Sequence, residues 1–160
     1  MKTLSFLALA LGLAACASYD GFTLRAGASS EAEVRSLMGA PALEFPDSDG
    51  SKVLAYPRGP LGSQTYMAHV GSDGVLREVR QALTDDNFYR IQPGLTRDDV
   101  LRMIGPPAES VRFERLNQVS WAYRYRDTWG YPAIFSVNFD ANGLVVSKFS
   151  RRIDRDRGRD

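Results

Sequence analysis

The chain has one cysteine and one histidine in 160 residues, and these two scarcities exclude much chemistry. A lone thiol cannot form an intrachain disulfide, so stability must come from packing. A single imidazole, His69, leaves little from which to build a nucleophile–histidine pair, and its place in an apolar strand sequence favours a structural or solvent-facing role. Structural zinc needs about four clustered ligands, and no such cluster is spaced along the chain. Asp98 and Asp99 are paired acids, but they fall in a helix's first turn, where negative charge complements the helix dipole. Gly59, Gly62, Gly71 and Gly74 precede no phosphate-cradling helix. The formal charge is only +1, so there is no global footprint for nucleic acid. Nor is any run long enough to span a bilayer, which takes about 20 apolar residues. We expect no enzyme, no metal or other cofactor, no small-molecule substrate and no nucleic-acid partner.

What is present begins with the leader. Lys2 precedes the apolar run Leu4 to Leu13, and Leu13-Ala14-Ala15-Cys16 places the only thiol just after small residues. This is the three-part build of a secretory signal, ending in a pattern that resembles a bacterial lipobox. Residues 1–15 are expected to be removed and Cys16 to carry the covalent lipid, palmitate included. Each buried methylene of an acyl chain contributes roughly 0.8 kcal/mol, and several chains give stable anchoring. Residues 16–21 would form a short lipidated tether. Ala17 and Ser18 supply no acid after the cysteine, which for such lipoproteins implies outward sorting.

The body is an internal repeat. Ser30 to Pro41 reappears as Thr96 to Pro107 at a constant offset of 66. In each copy a hydroxyl residue followed three positions later by an acid reads as a capping box. Val34, Leu37 and Met38, and likewise Val100, Met103 and Ile104, follow one helical face. Gly39 and Gly105, with prolines beyond, suit a left-handed C-terminal cap. Downstream, Leu54-Ala55-Tyr56 matches Trp121-Ala122-Tyr123 at an offset of 67, and Asp73-Gly74-Val75 matches Asn142-Gly143-Leu144 at 69. Val119, Trp121, Tyr123 and Tyr125 alternate with polar or small residues, as do Phe135, Val137 and Phe139, the period of a one-faced strand. Each unit thus reads as a helix followed by three strands. The expected fold is α+β, with antiparallel meanders in residues 22–83 and 84–150 and helices on one face. The two sheets would join into one, leaving an uncovered face for a partner. The connector Thr84 to Tyr89 would open with a capped turn. Residues 151–160, with five arginines and three aspartates, read as a charged, disordered tail.

Gly94-Leu95-Thr96-x-x-Asp99-Val100, Gly105-Pro106-Pro107, Trp121-x-Tyr123 and Phe139-Asp140-x-x-Gly143 together resemble the SmpA/OmlA, or BamE-like, family of outer-membrane lipoproteins. Residues 89–149 carry the pattern well and residues 22–80 more weakly. The resemblance implies a lipid-anchored protein facing the periplasm from the outer membrane and supporting β-barrel assembly or envelope integrity through protein contacts. Its partner would be an envelope protein such as the β-barrel assembly machinery. The family's assembly lipoprotein has one unit where this chain has two. A tandem is also similar to the β-lactamase inhibitory proteins, which implies the alternative of a periplasmic enzyme binder. Candidate partner-binding residues are Trp129 and Tyr131, aromatic groups in the loop Asp127 to Pro132. Arg124 and Arg126 are further candidates, lying on the opposite strand face from Trp121 and Tyr123, and with Arg112 and Arg115 they would form a basic patch.

Overall fold

The computed structural model describes residues 23–58 and 62–153. Cys16 with its lipobox, and residues 154–160 of the expected tail, lie outside the described residues. Helix α1 (Glu31–Met38) leads into strands β1 (Leu43–Pro46), β2 (Lys52–Arg58), β3 (Gln64–Val70) and β4 (Leu76–Gln81). Helices α2 (Asp85–Arg90) and α3 (Arg97–Ile104) then precede β5 (Glu109–Phe113), β6 (Gln118–Arg126), β7 (Pro132–Phe139) and β8 (Val145–Arg152).

The repeat is realised down to single hydrogen bonds. Ser30 caps α1 and Thr96 caps α3, each in a reciprocal capping box with Glu33 or Asp99. The lead-in segments are strapped to the hairpin turns identically: the Glu31 N–H donates to the Gly74 carbonyl at 2.9 Å, and the Arg97 N–H to the Gly143 carbonyl at 3.2 Å. Gly39 and Gly105 both end their helices at φ 77°, but with ψ near −165°. This is a glycine-specific extended conformation instead of the left-handed cap expected from the sequence. It turns the chain sharply into the proline that follows.

Each unit contains four strands where three are expected. The additional ones, β1 and β5, are edge strands. β1 has four residues, too few for its alternation of Leu43 and Phe45 inward with Glu44 and Pro46 outward to stand out, and β5 is exposed at every position. All neighbours pair antiparallel, in the orders β1-β2-β3-β4 and β5-β6-β7-β8. The α+β class with tandem units therefore holds.

The two sheets do not join, contrary to the expectation of one continuous sheet. Helix α3 lies between them. Its Val100 and Ile104 belong to the core of the second sheet, with Phe88, Tyr123, Phe135, Val137 and Phe139. Its Leu101 packs with Phe45, Ala55 and Met67 on the back of the first sheet, whose front holds Val34 and Met38 of α1 against Leu54, Tyr56 and Val70. A helix apolar on two sides separates sheets into layers. The order is α1, first sheet, α3, second sheet. Helices consequently cover both faces of the first sheet, and among the described residues no helix covers the outer face of the second. Arg102 ties the layers, with Nη1 3.0 Å from Asp47 and the guanidinium 5.3 Å from the Phe45 ring centre.

Candidate interface loop

The turn joining β6 to β7 is built around one carboxylate. Asp127 Oδ1 accepts from the N–H groups of Trp129 and Tyr131, both at 2.9 Å. Its Oδ2 accepts from Arg152 Nε at 2.6 Å. The turn closes with the Gly130 N–H on the Asp127 carbonyl and the Asp127 N–H on the Tyr131 carbonyl. Arg126 Nη1 donates to the Gly130 carbonyl at 2.9 Å. From the neighbouring layer, Asp85 in the first turn of α2 accepts from the N–H and hydroxyl of Thr128 at 3.2 and 2.5 Å. Desolvation works against the charged form of Asp127, but the hydrogen bonds from Arg152, Tyr131 and Trp129 outweigh it and hold the carboxyl below its ordinary value.

This framework pins the backbone while leaving the aromatic side chains outside. Trp129 is 79% exposed and Tyr131 56% exposed; neither folds back into the core. The Arg152 guanidinium lies 4.6 Å from the Tyr131 ring centre, a cation–π contact that orients the phenol. Beside the loop, a groove of about 320 Å³ runs between Asp85, Tyr125, Trp129 and Arg151. The structure thus places Trp129, Tyr131 and Arg126 in one rigid projection, with Arg124 on the open face of the second sheet next to it. Arg112 does not join them. It lies opposite Val119, on the other sheet face from Arg124, and pairs with Glu114 at 2.9 Å. The basic patch expected from four arginines is therefore split.

Arg152 is the residue that sequence reasoning missed. It belongs to the segment read as a disordered tail, yet β8 continues through Arg151 and Arg152. A run of arginines hides a strand when its partners are a carboxylate and an aromatic ring contributed from 20 or more positions away. His69 is half-buried. Burial, and then the nearby Arg80, lower its pKa, with Glu78 opposing them, and its Nε2 lies 3.7 Å from Glu78 Oε1. Among the described residues no three of His, Cys, Asp and Glu gather into a metal-binding group, and no helix is long and apolar enough to cross a membrane.

The fold and loop define a tandem helix-and-meander module carrying a preorganised aromatic projection. Residues 81–148, most of the second unit, match the model of the outer membrane protein assembly factor BamE domain. No curated protein sequence matches the chain. Among solved structures, a candidate osmotically inducible lipoprotein, OsmE, is similar at 19% identity over 44% of this chain and 82% of its own, with a TM-score of 0.39. A candidate β-lactamase inhibitor protein from Streptococcus mutans is similar at 12% identity over 77% and 82%, TM-score 0.32. The DUF4309 family protein YjgB from Bacillus subtilis is similar at 13% over 82% and 83%, TM-score 0.31.

Proposed function

We propose that this chain is a non-catalytic lipoprotein, held by acyl chains on Cys16 at the periplasmic side of the outer membrane, that supports β-barrel assembly or envelope integrity through protein contacts. The match of residues 81–148 to the assembly-factor domain carries the reading. The interface loop supports a binding role: an exposed tryptophan on a backbone already fixed by Asp127, Asp85 and Arg126 loses little conformational freedom on binding. Trp129 and Tyr131 are the proposed anchors, each contributing on the order of 2 kcal/mol when buried in a complex. Arg124 and Arg126 form the proposed polar rim.

The test is complementation. A strain lacking the gene should show raised envelope permeability and reduced outer-membrane β-barrel proteins, restored by the wild-type gene. A Trp129→Ala/Tyr131→Ala variant that accumulates normally should fail to restore them. Normal permeability and barrel-protein levels in the deletion strain would sink the assembly role.

A further inference from the structure

The first unit contains its own example of what binds the back of such a sheet. There, α3 sits so close that a Cβ on Gly105 would come within 2.7 Å of Thr65 Cγ2, 3.6 Å of Met67 Sδ and 3.8 Å of Ala55 Cβ. Leu101 packs with Phe45, Ala55 and Met67, and Arg102 reaches Asp47 at the rim.

The strand registers reproduce this seat in the second unit. Ala55 stands opposite Leu43 and Met67, and Ala122 stands opposite Glu109 and Ser136. Phe45, Ala55, Thr65 and Met67 therefore correspond to Val111, Ala122, Ile134 and Ser136. The small Ala122 and Ser136 lie at the centre where the first unit has Ala55 and Met67, the apolar Val111 and Ile134 flank them, and Glu109 stands at the edge in place of Leu43. No described helix covers this face, and Val111, Phe113 and Phe149 stay 38, 47 and 49% exposed. Val111 and Phe113 on β5 and Phe149 on β8 thus rim the small-residue centre from opposite edges of the sheet.

We propose that this open face is a second helix-docking seat, adjoining the Trp129 loop and sharing Arg124 with it, and that its occupant is an acidic amphipathic helix of a partner protein. The helix follows from the correspondence with the seat that α3 fills. The acidity follows from charge. Arg124 and Arg151 flank Ile134 in one row across β6, β7 and β8, and neither has an acidic partner among the described residues. At the rim position of Asp47, which receives an arginine in the first unit, the second unit has Phe113. The occupant must thus bring carboxylates toward Arg124 and Arg151 instead of an arginine toward an aspartate. A second copy stacking through α1 fits badly. The position matching Leu101 is Arg35, already paired with Glu31 at 2.7 Å and Glu44 at 2.8 Å, and burying that cluster would be costly.

The experiment places the photo-crosslinking residue p-benzoylphenylalanine at Phe149 in the full chain in its native cells, with the crosslinked peptide mapped by mass spectrometry. The expected product joins Phe149 to one protein segment with helical apolar spacing and at least two carboxylates. Arg151→Glu should reduce that product at least tenfold, while Trp129→Ala leaves its site of attachment unchanged. Ala122→Trp, which fills the seat, should abolish it, with folding checked by circular dichroism. Crosslinks only to lipid, to a second copy or to a non-helical segment would overturn the proposal, as would no crosslink or insensitivity to the arginine reversal. Because Phe149 reports this face alone, failure here is distinguishable from failure of the loop.

Discussion

Arg152 Nε stands 2.6 Å from Asp127 Oδ2, so the last strand of the fold buttresses the loop that presents Trp129. The Asp127 carboxyl is held below its ordinary value in the folded chain. Its contribution to loop order is therefore present above the unfolded value of about 3.9 and is lost as pH falls through the lower folded value. In a Trp121→Phe background, the fluorescence anisotropy of Trp129 should stay level down to about pH 4 and drop below it. Arg152→Ala should shift that drop to higher pH. An unchanged midpoint in Arg152→Ala would remove Arg152 from the loop's support.

Two glycines with the same backbone give a controlled comparison. Gly39 and Gly105 share φ 77°, but a Cβ at Gly39 meets nothing within 4 Å, whereas at Gly105 it would collide with the buried Thr65. Gly39→Ala should cost only backbone strain, about 1 to 3 kcal/mol. Gly105→Ala adds overpacking of about 1 to 3 kcal/mol and should lower Tm roughly twice as far in calorimetry. Equal shifts would mean that α3 is not tightly seated against Thr65.

Leu101 couples the units. Leu101→Ala removes its contacts with Phe45, Ala55 and Met67 and should cost about 2 kcal/mol. Leu101→Asp places a charge between the layers and should split unfolding by urea into two transitions, followed by Trp121 fluorescence for the second unit and far-ultraviolet dichroism for both. A single transition in Leu101→Asp would show that the units cohere without this helix.

The capping boxes should behave as independent copies. Ser30→Ala and Thr96→Ala each remove a side-chain acceptor for a helix N–H and should each cost about 1 kcal/mol. The double variant should lose the sum, since the two caps share no partner. A clear departure from additivity in denaturant melts would show that the helices fold as one unit.

Much of this architecture is legible in the sequence because it is encoded locally. The offset between Ser30 and Thr96, the acid three residues later and the glycine–proline ends specify the two helices without tertiary information. The alternation from Val119 to Tyr125 likewise assigns Tyr123 and Tyr125 to the core and Arg124 to the opposite face. The loop position of Trp129 and Tyr131 is also legible in the sequence, whereas their exposure is seen only in the structure. What was not legible depends on contacts between distant segments. Leu101 looks like a minor irregularity on a helix face until the first sheet is seen behind it, and that one residue decides between joined sheets and stacked layers. β1 is too short for its alternation to announce it, and β5 has no buried residue at all. Arg152 reads as tail because its partners, Asp127 and Tyr131, lie in another hairpin.

The most direct test of the proposed role is a crosslinked pull-down of the lipidated protein from membranes, with Cys16→Ala and Trp129→Ala controls. The expected result is recovery of β-barrel assembly components, lost without the anchor and reduced at least tenfold without the tryptophan. Recovery of a single soluble periplasmic enzyme instead would contradict the assembly role and place the tandem among enzyme binders.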